Sequence, residues 1–146
     1  MRETIIAVVE DDAGVLKAIE RLLQAHGLHS AGFASAEAFL AWDRAGEAAC
    51  LVLNINLSGM SGIELRHQLT AQASRLPVIF IWAAIDHATL RTALQAGCIA
   101  CLRKPFQSRL LIDAIKIAIE ERETFSSESV GPCRGIPTRR RSYKRR

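Results

Sequence analysis

Five short apolar segments, each followed by a stretch with helical periodicity, constrain the fold more than any other feature of this chain. Ile5 to Val9 is rich in β-branched residues, too short for a helix and apolar on both faces, as a strand inside a parallel sheet must be. Val15, Leu16, Ile19, Leu22 and Leu23 then form one apolar helical stripe, with Asp12 as its N-cap and Gly27 as the residue that ends it. Leu28 to Phe33 reads as a second, weaker strand, and Ser35 starts a short helix through Phe39, Leu40 and Trp42. Cys50 to Leu53 is a third strand, followed by a loop, 54–62, whose glycines permit positive φ, and a helix from Ile63 to Ala71. Val78 to Trp82 is a fourth strand, His87 to Ala96 a helix stopped by Gly97, and Ile99 to Leu102 a fifth strand. Ser108 is placed to cap a last helix carrying Leu111, Ile112, Ile115 and Ile119.

Strands alternating with helices through short connections predict a parallel sheet covered on both faces. Right-handed crossovers make this a flavodoxin-like (βα)5 doubly wound sheet of order 2-1-3-4-5, whose function sits at the carboxyl ends of the central strands. That rule selects residues 10–12, 54–58, 82–84 and 103–105.

Charge divides the chain in two. Its net charge is +4, but residues 1–122 carry 12 Lys/Arg against 13 Asp/Glu, and residues 123–146 carry 7 Lys/Arg against Glu123 and Glu128. The expected organisation is a near-neutral domain over 1–122 and a basic tail over 123–146. The tail, with its Gly and Pro residues, reads as a solvated, disordered extension too apolar-poor for a helix-turn-helix. The rival reading makes it an electrostatic arm, so nucleic acid enters only through the tail. The apolar runs fall far short of the roughly 20 residues that span a bilayer, and the start has no signal-peptide pattern, so a cytoplasmic protein without membrane contact is expected.

Cys98-Ile-Ala-Cys101 has redox or zinc spacing, yet neither a helix start after a strand nor a second ligand pair accompanies it, so the cysteines read as small apolar residues. His26, His29, His67 and His87 show no ligand spacing, and no Walker, Rossmann or nucleophile-elbow pattern occurs.

At the carboxyl ends the motifs resemble a known family. Val8-Val9-Glu10-Asp11-Asp12, Leu51-Val52-Leu53-Asn54-Ile55, Gly59-Met60-Ser61-Gly62-Ile63-Glu64-Leu65, Pro77 to Ile81, Ala96-Gly97 and Leu102-Arg103-Lys104-Pro105-Phe106 stand in register. Together they are similar to the receiver domain of two-component response regulators, the CheY-like phosphoacceptor module. Ser35-Ala36-Glu37-Ala38-Phe39-Leu40 with Arg103-Lys104-Pro105-Phe106 is closest to the branch whose members carry a C-terminal helix-turn-helix. The resemblance, over residues 5 to about 121, implies that Glu10 and Asp11 help hold Mg²⁺ with the phosphoacceptor and the Asn56 carbonyl. It implies too that Lys104 neutralises the phosphoryl group.

Three positions depart from the family pattern. Asn54 stands at the phosphoacceptor position, and its amide is not a carboxylate nucleophile. Trp82 stands where a Ser/Thr hydroxyl belongs, and Cys101 where an aromatic switch residue does. With one carboxylate gone, no cofactor is required and Mg²⁺ is left a weak ligand at most. Lys104 is then free to pair with Asp11 or to hydrogen-bond Asn54. Taken alone, Glu10-Asp11-Asp12 would be a helix-capping cluster, Lys104 a solvated turn residue and Trp82 a core residue; the register of the motifs reverses this for Glu10, Asp11 and Lys104, while Asp12 stays a cap and Trp82 is expected partly buried over the vestigial pocket.

The expectation is a stand-alone, non-enzymatic pseudo-receiver that binds a sensor kinase, another regulator or a second copy of itself, as a homodimer. The surface implied by the resemblance is that of the fourth helix, fifth strand and last helix, with Leu90, Leu94, Leu111 and Ile115 on it or beneath it. The rivals are a conventional phosphorelay receiver in which Asn54 is an engineered form of an aspartate or is converted to one by deamidation, and a regulator acting on nucleic acid through the tail. Trp82 and Cys101 argue against the first, because changing one site does not explain three.

Overall fold

All five strands run parallel in one sheet of order β2-β1-β3-β4-β5, as the alternating pattern predicts. The structure is a computed structural model that describes residues 4–127. The strands are β1 (Ile5–Val9), β2 (His29–Phe33), β3 (Ala48–Asn54), β4 (Val78–Trp82) and β5 (Ala100–Arg103). The helices are α1 (Ala13–Ala25), α2 (Ala36–Leu40), α3 (Gly62–Ala71), α4 (His87–Ala96) and α5 (Ser108–Ser127).

Strand alternation sorts the core into two layers. Ala7, Val9, Leu51, Leu53, Val78 and Phe80 face the side covered by α2, α3 and α4. Ile6, Val8, Cys50, Val52, Ile79 and Ile81 face the side covered by α1 and α5, against Ile19, Leu23, Leu111 and Ile115. The central strands β1 and β3 are buried almost throughout, which explains why they lack any polar alternation. Each fully buried Ile, Leu or Phe contributes about 1.5–3 kcal/mol relative to exposure.

Local chemistry fixes the helix ends. Asp12 Oδ1 accepts from the N–H groups of Gly14 and Val15, and Gly27, at φ +75°, follows the α1 C-cap His26. Ser61 and Glu64 form a reciprocal capping box on α3. Asp86 caps α4 through Thr89 N–H, and Gly97, at φ +96°, stops it. His26, His29, His67 and His87 are exposed, and Cys50, Cys98 and Cys101 are in no disulfide; Cys133 lies outside the described residues.

Four expectations shift. α2 ends at Leu40, and Trp42 lies beyond it, its ring centroid 5.0 Å from Phe33 and 6.1 Å from Phe39; an aromatic cluster, not helical periodicity, positions it. β3 begins at Ala48, and Ala48 is fully buried. Ser108 is the first residue of α5 rather than its cap. α5 also runs to Ser127, so residues 123–127 of the expected tail are helical, and the rest of that tail lies outside the described residues. Arg122 ties α5 to the start of β3 by donating to the Ala48 carbonyl and, at 2.9 Å, to the Gly46 carbonyl.

Candidate functional site

Glu10, Asn54 and Lys104 converge just beyond β1, at the end of β3 and just beyond β5. Each continues the two-residue alternation of its strand: Ile6, Val8 then Glu10; Cys50, Val52 then Asn54; Ala100, Leu102 then Lys104. All three side chains therefore leave the sheet on the α1/α5 side, and Glu10 and Asn54 are buried.

Every polar atom of the cluster has a partner. Lys104 Nζ donates to Glu10 Oε1 at 2.9 Å. Glu10 Oε2 accepts from Asn54 Nδ2 at 2.9 Å and from Asp12 N–H at 3.1 Å. Asn54 Nδ2 also approaches Asp11 Oδ1 at 3.4 Å and the Asn56 carbonyl at 3.3 Å. Asn56 N–H donates to Asn54 Oδ1 at 3.1 Å, which fixes the amide with its nitrogen toward the carboxylates. Lys104 thus pairs with Glu10, not with Asp11 or Asn54. Asp11 is exposed, although its Oδ1 still comes within 3.4 Å of the Asn54 amide nitrogen.

Backbone packing holds Asn54 in place. Ile55 N–H donates to the Ile81 carbonyl, and Gly62 N–H to the Ile55 carbonyl. A Cβ on Gly62 would lie 2.3 Å from the Asn54 carbonyl oxygen, so only glycine lets α3 start this close to the site. Asn56 Nδ2 reaches the Ala84 carbonyl at 3.4 Å, linking the loops after β3 and β4. Glu37 accepts from Met60 N–H, and that bond holds its carboxyl below the ordinary value of 4.5.

Trp82 and Cys101 face the other layer. Trp82 follows Val78 and Phe80 in the alternation and packs with Cys101 against the α2/α3/α4 core. Its Nε1 is buried without a conventional hydrogen-bond partner and faces the Cys101 thiol, a weak acceptor. Burial pushes that thiol up to about 11 despite the indole's opposing effect. The large residue at 82 lies against the small one at 101, so the two side chains share one volume. Arg103, paired with Trp82 in the β4–β5 register, sets its guanidinium 5.4 Å from the indole centroid. Sequence reading places Arg103 among residues 103–105 of the site without a role of its own; its contact with Trp82 follows once the parallel pairing is known.

Trp82, Arg103, Ile85, Leu90, Ala84, Asp86 and His87 line a shallow groove of about 640 Å³ between the ends of β4 and β5 and α4. The Thr89 side chain and N–H hold the Asp86 carboxyl below its ordinary 3.8. Leu111 and Ile115 belong to the core beneath α5, whereas Leu94, Leu110 and Ile117 are 41%, 46% and 49% exposed on α4 and α5.

The divalent cation that the resemblance implies does not fit these residues as they stand. Both Glu10 oxygens are engaged, and the Asn54 amide nitrogen lies among the oxygens of Glu10, Asp11 and Asn56. Among the described residues no group of three His, Cys, Asp or Glu side chains is arranged to hold a metal. No helix of the described residues is long and apolar enough to cross a membrane.

A doubly wound parallel sheet with an acid–amide–lysine cluster at the ends of β1, β3 and β5 defines a flavodoxin-like, CheY-type domain. The chain belongs to the response regulator receiver domain family, which matches residues 6–116. It is 35% identical over 121 residues to the response regulator protein TmoT of Ectopseudomonas mendocina, covering 82% of this chain and 54% of that protein. It is 32% identical over 119 residues to the response regulator protein TodT of Pseudomonas putida, covering 82% of this chain and 52% of that protein. The chain therefore spans about half the length of these relatives. Among solved structures, the N-terminal FixJ fragment superposes with a TM-score of 0.73 at 31% identity, covering 82% of this chain and 96% of that one. The response regulator StyR superposes with a TM-score of 0.78 at 36% identity, covering 86% of this chain and 63% of that one. The family is regulatory, and its receivers serve two-component signalling.

Proposed function

We propose that this receiver domain works without phosphorylation, as a protein-interaction module of a two-component system. The observation that carries this reading is the Asn54 amide at the end of β3, hydrogen-bonded to Glu10 in the family's phosphoacceptor position. A carboxylate attacks phosphorus to form an acyl phosphate; a neutral amide has no such nucleophilic oxygen. Lys104, the group that would meet the phosphoryl charge, is already neutralised by Glu10. Trp82 supplies no hydroxyl to the pocket, and its N–H faces Cys101.

The interaction surface in this reading is α4, β5 and α5. Leu94, Leu110 and Ile117 give it exposed apolar area, and the Trp82–Arg103 groove adjoins α4. Its partner is a sensor kinase, another regulator or a second copy of the chain. The concentration of positive charge after residue 122 supports a second role, contact with nucleic acid, recognisable by a salt dependence lost on deleting residues 134–146.

Incubation with acetyl phosphate and Mg²⁺ followed by intact-mass measurement tests the main reading. The wild-type chain should show no gain of about 80 Da, the mass of one phosphoryl group. An adduct that disappears in Asn54→Ala would overturn it.

A further inference from the structure

The Asn54 amide group sits at the meeting point of three oxygens, two from the consecutive residues Glu10 and Asp11 beyond β1 and one from Asn56 in its own loop. Its nitrogen is 2.9 Å from Glu10 Oε2, 3.4 Å from Asp11 Oδ1 and 3.3 Å from the Asn56 carbonyl. Two carboxylates and a carbonyl pointed at one another repel unless something positive lies between them. We infer that the Asn54 NH₂ group, with Lys104, replaces a divalent cation as the positive centre of this pocket, so the domain holds its site together without metal.

Three observations support the assignment. The amide orientation is set by Asn56 N–H bonding to Oδ1 at 3.1 Å; the flipped amide would place its oxygen against Glu10 and Asp11. The remaining Glu10 oxygen is taken by the Lys104 ammonium at 2.9 Å, so the buried charge is compensated from inside the protein. A Mg²⁺ ion requires its oxygens at about 2.0–2.1 Å in octahedral array, and the same oxygens cannot close on an ion while the amide nitrogen stands among them. Gly62 and the Ile55–Ile81 hydrogen bond pin the backbone of residues 54 and 55, which limits retreat of the amide.

The inference goes beyond the proposed function and can fail separately from it, because it concerns cation binding rather than phosphoryl chemistry. The test compares thermal unfolding of the full chain and of Asn54→Asp and Asn54→Ala, in Mg²⁺ up to about 10 mM against NaCl of equal ionic strength. Asn54→Asp adds a third carboxylate; Asn54→Ala removes the donor that stands between Glu10 and Asp11, leaving Glu10 with only Lys104 and the Asp12 N–H. The wild-type midpoint should not respond to Mg²⁺ beyond the NaCl control. Both variants should be less stable without Mg²⁺ and recover with it, and Mn²⁺ titration should show binding to Asn54→Asp about tenfold or more tighter than to wild type. A wild-type midpoint that rises with Mg²⁺ as steeply as that of Asn54→Asp would overturn the inference. So would Asn54→Ala showing neither destabilisation nor a response to Mg²⁺, a result readable even if the aspartate variant fails to fold.

Discussion

Removing Lys104 probes the energetics of the pocket most directly. The Glu10 side chain is 1% exposed and that of Lys104 19%, with 2.9 Å between the charged atoms. Breaking a fully buried ion pair by deleting one member costs about 3–5 kcal/mol, because the surviving charge stays desolvated. Glu10 keeps two N–H donors, Asn54 Nδ2 and Asp12 N–H, after Lys104→Met, so the expected cost falls to about 2–3 kcal/mol. Glu10→Gln removes the buried charge itself and leaves an ammonium that already reaches solvent, so about 1 kcal/mol is expected. The double variant Glu10→Gln/Lys104→Met should cost about 1–2 kcal/mol less than the sum of the singles, since it leaves no stranded charge. Urea unfolding at pH 7, with unchanged m-values as the check on two-state behaviour, reads all four corners of the cycle. In thermal melts each kcal/mol corresponds to about 3–6 °C for a domain of this size. Additive costs, or a larger loss for Glu10→Gln than for Lys104→Met, would refute the reasoning that a buried carboxylate dominates this site.

Two other perturbations follow from the geometry. Trp82→Thr should leave a cavity beside Cys101 and cost about 3 kcal/mol, whereas Trp82→Thr/Cys101→Tyr should cost less than Trp82→Thr alone if the two side chains share one volume; calorimetry of the three variants decides it. Glu37 and Asp86 are held below their ordinary values of 4.5 and 3.8 by bonds from Met60 N–H and Thr89. Their contribution is complete above those ordinary values and is lost as pH falls through the lower folded ones, so stability should decline with acid below about pH 4. Glu37→Gln and Asp86→Asn should each flatten that decline in denaturation curves recorded from pH 5 to pH 2, and an unchanged slope in both would contradict it.

The sheet was legible because burial on both faces leaves a signature: Ile5 to Val9 and Val78 to Trp82 carry no polar residue, and only the interior of a parallel sheet asks for that. Capping chemistry is equally local, which is why Asp12, Ser35 and Gly27 could be placed from their neighbours alone. Trp42 was not legible as a residue beyond its helix, since its place depends on Phe33 from another strand. The partner of Lys104 needed one more step of reasoning. Composition offers Glu10 and Asp11 equally, but alternation carried one residue past β1 selects Glu10, and the same extension of β3 and β5 selects Asn54 and Lys104. The Asn54 hydrogen bonds to Glu10, Asp11 and Asn56 lie beyond pattern reading, because they depend on how closely the loops approach.

The Arg122 clamp has a bearing on transmission. It fastens α5 to the carbonyls of Gly46 and Ala48, at the opening of β3, while Asn54 closes that same strand. At a rise of about 3.3 Å per residue the two points are separated by the length of the strand, about 20 Å. The last turn of α5, which follows Arg122, accordingly lies at the pole of the domain opposite the pocket. A change around Asn54 is therefore separated from the end of α5 by the length of the sheet and acts on it through the strands and the α5 axis.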